Sequence, residues 1–261
     1  MTYCLAMRLP EGLVFLSDTR TNAGVDNIGM YRKLHRLQPA PDRLFVLQSA
    51  GNLATTQEVL DRIRRDLRLG EDDPSLETLA TVGELWEAAL YIGRLSLETT
   101  KSHSDGLGES GGKATFILGG QIAGTAPDIL LIYPEGNYIR ASESRPFLQI
   151  GETKYGKFLL EVAGTTQSTL PIAVKVALGS MVTTARANLS VGPPYDLGIY
   201  RTDSYHLDDH RITDDSPVLT RLEQLWRQHI LAAIDDLPTV TDSTETLRIP
   251  FADTPVPPPP R

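Results

Sequence analysis

The chain of 261 residues contains a single cysteine, Cys4. One thiol cannot close a disulfide within the chain, nor can it build the thiolate clusters that hold zinc or iron–sulfur centres. Long apolar runs are also missing, and no stretch approaches the ~20 residues of a membrane-spanning helix. The opening apolar stretch is broken by Arg8, Pro10 and Glu11 and lacks a basic start, so it does not read as a secretory signal. Positive charge is in short supply: 25 Lys and Arg stand against 33 Asp and Glu, for a net charge of −8. No basic excess exists to neutralise the phosphates of nucleic acid or an anionic membrane. These absences predict a cytoplasmic protein that binds neither.

What is present is ordinary globular material, 41% hydrophobic and 22% charged, enough to bury a substantial core. Short apolar runs bounded by turn residues predict strands at 3–9 and 13–18 around the turn Pro10-Glu11-Gly12. A second hairpin is predicted at 33–38 and 43–50 around Pro39-Ala40-Pro41-Asp42. Helical spacing then marks 52–68 and 75–100, the latter with Leu76, Leu79, Val82, Leu85, Trp86, Leu90 and Ile92 on one broad face. A polar Gly/Ser-rich loop is expected at 100–112. Strands follow at 113–121, 128–134, 138–142 and 147–151, then helices near 155–163 and 169–189, and strands at 195–202 and 210–213. A last helix starts at Ser216-Pro217 with Leu219, Leu222, Leu225, Trp226, Ile230 and Ala233 as a core-facing stripe. The proline-rich end, 238–261, is expected to be an extended tail outside a main domain spanning 2–237. Hairpins alternating with helix pairs suit two packed sheets with helices outside them, an α+β arrangement.

Hairpin pairing turns sequence distance into proximity. Pairing across Pro10-Glu11-Gly12 lays Thr2 beside the segment Asp18-Thr19-Arg20, and pairing across the second turn sets Lys33 near Gln48, with Gly51 just past the strand end. If the two hairpins are neighbours in one sheet, Thr2, Asp18, Lys33 and Gly51 share one end of it. Each residue alone has an ordinary reading: a strand-edge threonine, a turn aspartate, a solvated lysine, a strand-to-helix break. Their joint placement suits an N-terminal nucleophile. Removal of Met1 would give Thr2 an α-amine with a reference pKa of ~7.7–8.0, suited to accepting a proton at neutral pH. One residue then carries both nucleophile and base. Lys33 would lower the pKa of that amine, Asp18 would hold Lys33, and the Gly51 N–H would face the oxyanion.

The stretch "TYCLAMRLPEGLVFLSDTRT" resembles the start of proteasome β-type subunits, in which a terminal threonine leads into a strand, a turn and an Asp-Thr/Ser-Arg segment. Lys33, "SAGNLATTQ" (49–57), "IGETKYG" (150–156) and "ARANLSVGPPYDLGIYRTD" (185–203) fit later family segments, and the start Met-Thr-Tyr-Cys resembles a bacterial branch. The resemblance covers roughly 2–235 and implies a four-layer αββα sandwich of the N-terminal-nucleophile (Ntn) hydrolases. It also implies peptide-bond hydrolysis without a cofactor and a homo-oligomeric ring or helical assembly acting on peptides or unfolded proteins; it names no partner ATPase. Ser190 matches a supporting serine. Two positions depart from the pattern: Glu152 stands where the family has a serine, and Ala187 where it has an aspartate. Asn188 is the expected stand-in for that carboxylate. Thr19, Thr21 and Ser49 are expected at the substrate, with Leu53 in the specificity pocket and Arg20 bracing the turn.

Two readings compete with a peptidase: a non-catalytic subunit that keeps the fold, and an Ntn amidohydrolase acting on small amides. Other patterns read as ordinary structure. "HLDDH" (206–210) has metal-ligand residue types but is expected to be a solvated loop, so no metal is assigned. "LGGQIAG" (118–124) lacks a phosphate-loop lysine and reads as a hairpin turn, and Cys4 reads as a small buried hydrophobe.

Overall fold

The computed structural model describes residues 1–22, 28–102 and 112–238. Residues 103–111 of the expected Gly/Ser-rich loop and the proline-rich tail from 239 lie outside the described residues.

The first hairpin forms as expected. Strands β1 (Tyr3–Leu9) and β2 (Gly12–Asp18) pair antiparallel, with Cys4 opposite Ser17 and Leu5 opposite Leu16. Two short strands that the alternation did not mark, β3 (Arg20–Asn22) and β4 (Ile28–Met30), pair with each other. The second hairpin is β5 (Leu34–Ala40) with β6 (Arg43–Gly51), continued by β7 (Ala114–Ile122), β8 (Asp128–Ile132) and β9 (Tyr138–Arg140) in a five-stranded sheet. A second five-stranded sheet runs β10-β1-β2-β11-β12, adding β10 (Phe147–Gly151), β11 (Tyr195–Arg201) and β12 (Leu207–Ile212). All three sheets are antiparallel.

The hairpins are therefore not neighbours in one sheet, and that expectation is corrected. They belong to different sheets whose apolar faces meet. Leu13 and Phe15 of β2 share one buried cluster with Leu44 and Val46 of β6 and Ile117 of β7. The sheets approach closely: a Cβ added at Gly119 would lie 2.5 Å from the Phe15 ring. Because side chains alternate along a strand, the intervening Phe45 and Leu47 of β6 point the other way. They pack with Val59 and Ile63 of α1 (Leu53–Asp72) and with Ala88 and Ile92 of α2 (Leu85–Ser102). Beside the other sheet, α3 (Lys154–Ala163) pairs with α4 (Leu170–Ala187), and α4 lies against β1 and β2. A hydrogen bond of 2.7 Å between the Tyr3 hydroxyl and Ser180 Oγ ties β1 to α4.

Helix α2 starts at Leu85 rather than 75, because the Glu87 carboxylate accepts the N–H groups of Gly83 and Glu84 at 2.8 and 3.1 Å and caps the helix there. Leu79 and Val82 are buried in the turns before it. "LGGQIAG" is mostly strand β7 instead of a turn, and "HLDDH" enters strand β12 instead of a loop. Among the described residues no His/Cys/Asp/Glu group is arranged to hold a metal, and no helix is long and apolar enough to cross a membrane.

Met1–Leu219 forms one compact unit, and a second begins at Thr220, within helix α5 (Pro217–Asp235). The stripe expected to face the core on α5 is corrected as well. Only Leu219 is buried in this helix, while Ile230 and Ala233 are exposed. An amphipathic pattern identifies the face that wants cover without saying that the same chain supplies it.

Candidate functional site

Thr2 precedes β1, and its carbonyl accepts the Glu152 N–H at 2.7 Å. The turn that brings Glu152 there depends on Gly151, which has φ of +84° and whose added Cβ would lie 1.9 Å from the Thr2 oxygen. Any side chain at 151 would both strain the backbone and displace Thr2. At the end of β2, Asp18 Oδ1 accepts the Tyr3 N–H at 2.9 Å and the Lys33 ammonium at 2.7 Å. Lys33 Nζ also donates to the Arg20 carbonyl at 2.7 Å. Both ions are buried, Lys33 at 3% exposure and Asp18 at 0%. Burial pushes the Asp18 carboxyl above its usual pKa, opposed by the Lys33 ammonium and by the Tyr3 amide.

Lys33 enters from the opposite sheet. Its carbonyl accepts the Ser49 N–H at 3.1 Å, which registers the start of β5 against β6 and sets Gly51 at the strand end. Asn52 follows as the N-cap of α1, its side chain accepting the Thr55 N–H at 3.0 Å. A cavity of about 450 Å³ opens between these parts, lined by Met1, Thr2, Thr21, Ala50, Gly51, Leu53 and Gly151. Burial first, and then the Lys33 ammonium, hold the Met1 amine below its usual pKa; the Asp18 and Glu152 carboxylates pull the other way.

The structure thus brings Thr2, Asp18, Lys33 and Gly51 together across two sheets, with Thr21 and Leu53 on the cavity wall. Thr19 and Ser49 are buried, at 1% and 4% exposure, and do not line the cavity. The Thr19 hydroxyl donates to the Pro194 carbonyl at 2.8 Å, and the Ser49 carbonyl lies 3.7 Å from Cys4 Sγ. Cys4 is buried in the core, and burial raises the pKa of its thiol. Asn188 caps the C-terminus of α4, where Ala187 is the last helical residue. Its amide nitrogen donates to Glu152 Oε2 at 3.1 Å and lies 3.8 Å from the Met1 sulfur, while its Oδ1 accepts the Ser190 N–H at 3.0 Å. Arg20 donates to the Leu189 carbonyl at 2.7 Å and steadies the loop that carries Asn188 and Ser190. Sequence reasoning marked Glu152 only as a departure from the family's serine and gave it no role in this group, although a carboxylate directly after a strand-ending glycine was a second signal.

No protein-family model matches the chain, and no curated protein does. Solved structures do. Anbu (ancestral beta-subunit) from Yersinia bercovieri is 40% identical, with 93% of this chain and 100% of that chain covered and a TM-score of 0.85. The chain belongs to the Anbu family. Anbu from Hyphomicrobium sp. strain MC1 is 41% identical over 92% of this chain and 100% of its own, with a TM-score of 0.84. Anbu from Pseudomonas aeruginosa, solved as a helical assembly of the Anbu complex, is 37% identical over 94% of this chain and 100% of its own, at a TM-score of 0.85. The closeness to bacterial proteasome homologues inferred from Met-Thr-Tyr-Cys agrees with these neighbours, and the Anbu fold is the mixed α/β, antiparallel one described above.

Proposed function

We propose that this Anbu protein is an N-terminal-threonine hydrolase that cleaves peptide bonds once Met1 is removed. The observation that carries the reading is the buried Lys33–Asp18 pair set beside Thr2 and the cavity. In this mechanism Thr2 Oγ attacks the scissile carbonyl and its proton passes to the α-amine of Thr2. The ammonium of Lys33 keeps that amine weakly basic and stabilises the developing alkoxide, and Asp18 positions Lys33. The Gly51 N–H meets the oxyanion. Collapse of the tetrahedral intermediate breaks the C–N bond and the amine delivers its proton to the leaving nitrogen. Water, deprotonated by the same amine, then releases the acyl group from Thr2. Thr21 and Leu53 contact the substrate, and the chemistry calls for no cofactor.

Helices on the outer face of one sheet and α4 against the other support a four-layer αββα sandwich. In this reading the hydrolase domain spans 2–237 and works in the cytoplasm. The helical assembly of the Pseudomonas aeruginosa relative supports assembly of several copies here. A threonine-reactive β-lactone tests the reading. It should add to Thr2 in the parent protein and leave Thr2→Ala unmodified, read by peptide mapping. A parent protein without an adduct on Thr2, or an equal adduct in Thr2→Ala, contradicts it.

A further inference from the structure

We propose that Glu152, anchored by Asn188, is the carboxylate that positions the Thr2 amine and restores its basicity. The inference rests on the threonine-hydrolase reading above. Its geometric basis is the turn at Gly151, which fastens the Glu152 backbone to the Thr2 carbonyl at 2.7 Å and so places the carboxylate beside the start of the chain. The carboxylate is oriented from a third direction: the Asn188 amide reaches Oε2 at 3.1 Å from the end of α4. A rigid helix terminus thus fixes a group that follows strand β10.

The charges around the chain-terminal amine come from three directions: Asp18 at the end of β2, Lys33 before β5, and Glu152 after β10. Asn188 and Ser190, which follow α4, are neutral. Asp18 is already paired with a cation: its Oδ1 accepts both the Lys33 ammonium and the Tyr3 amide, while its Oδ2 is buried without a hydrogen-bond partner among the described residues. Glu152 differs. Its hydrogen-bond partners among the described residues are neutral, the Asn188 amide and, more loosely, the Lys154 N–H at 3.4 Å. Of the two carboxylates it is therefore the one that no cation among the described residues already pairs, and it keeps capacity for the amine.

That capacity answers a chemical need. Burial and Lys33 both weaken the amine as a base, and a base pushed too far below the working pH accepts a proton poorly. An anion beside it favours the ammonium form and brings the pKa back up, while accepting an N–H that fixes the direction of the nitrogen lone pair. At the position aligned with the family's aspartate, Ala187 offers no carboxylate; Glu152 supplies one from a different element.

The test is the rate of β-lactone addition to Thr2 from about pH 5 to about pH 9, a span around the amine's usual ~7.7–8.0. It compares the parent with Glu152→Gln, Glu152→Asp and Asn188→Ala, with intact mass verifying equal removal of Met1. For Glu152→Gln the midpoint of the acid limb is expected to fall by about one pH unit, since an attractive charge near the ammonium is gone. The plateau rate should drop with it. Asn188→Ala should move the midpoint the same way by less, and Glu152→Asp should recover part of the parent profile. A purely structural role would lower the melting temperature and leave the midpoint in place. Midpoints equal to the parent's in both Glu152→Gln and Asn188→Ala overturn this inference alone. A parent that never labels on Thr2 overturns it together with the hydrolase reading. If Glu152→Gln fails to fold, Asn188→Ala and Glu152→Asp decide the matter.

Discussion

Lys33 and Asp18 bury opposite charges 2.7 Å apart, with the Tyr3 amide as a third partner. An exposed ion pair adds little, but removing one member of a buried pair strands a charge in the interior. Asp18→Ala is therefore expected to cost about 3–5 kcal/mol in urea unfolding, and Asp18→Ala with Lys33→Ala less than the sum of the two single changes. A loss under about 1 kcal/mol, the size expected of an exposed pair, would show that the charges are solvated after all. The same pair marks how far the site was legible in the sequence. Thr2 with Asp18, and Lys33 with the strand end at Gly51, were legible because a short turn fixes which residues of a hairpin face each other; the packing of two sheets that joins the pairs was not. Glu152 was not, because its contacts reach Thr2 across 150 positions and depend on one left-handed glycine. Thr19 and Ser49 were expected at the substrate through their neighbours in sequence. Thr19, between β2 and β3, instead spends its hydroxyl on the Pro194 carbonyl, and strand alternation sends Ser49 and Ala50 in opposite directions.

The first hairpin was legible because each strand is a short, nearly continuous apolar run between turn residues. The segment "HLDDH" was not read as a strand, since β12 buries only Leu207 and shows no alternation of apolar residues. Helix α2 was given too early a start because Leu79 and Val82 keep helical spacing through turns that Glu87 terminates by capping. Helix α3 carries apolar residues on two faces. Gly156 and Leu160 are buried, yet Tyr155, Phe158 and Val162 form an exposed stripe in which Phe158 is 77% accessible. A second apolar stripe on a helix, beyond the one its own core covers, marks a face that can be covered from outside. If another copy of the chain covers that stripe, Phe158→Glu should reduce the particle mass measured by light scattering without lowering the melting temperature. An unchanged mass would place the contact between copies elsewhere.

Across the whole compact unit, the site exists because two sheets pack face to face. Each hairpin has an apolar side, and burying those sides against each other sets the end of β2 opposite the start of β5. The sequence pattern showed the apolar sides without showing whether the hairpins would lie edge to edge or face to face, and the structure resolves this in favour of the second. Thr2, at the mouth of this junction, has its backbone tied on one side by Glu152 and leads into Tyr3, whose amide Asp18 holds. The proposed reaction turns on the α-amine of Thr2, which Met1 occupies in a peptide bond. Intact-mass measurement of the purified, untreated protein tests that most directly. The account predicts a mass short of one methionine residue, with threonine as the first residue on sequencing. A chain that retains Met1 throughout would contradict it, because the proposed base would not exist.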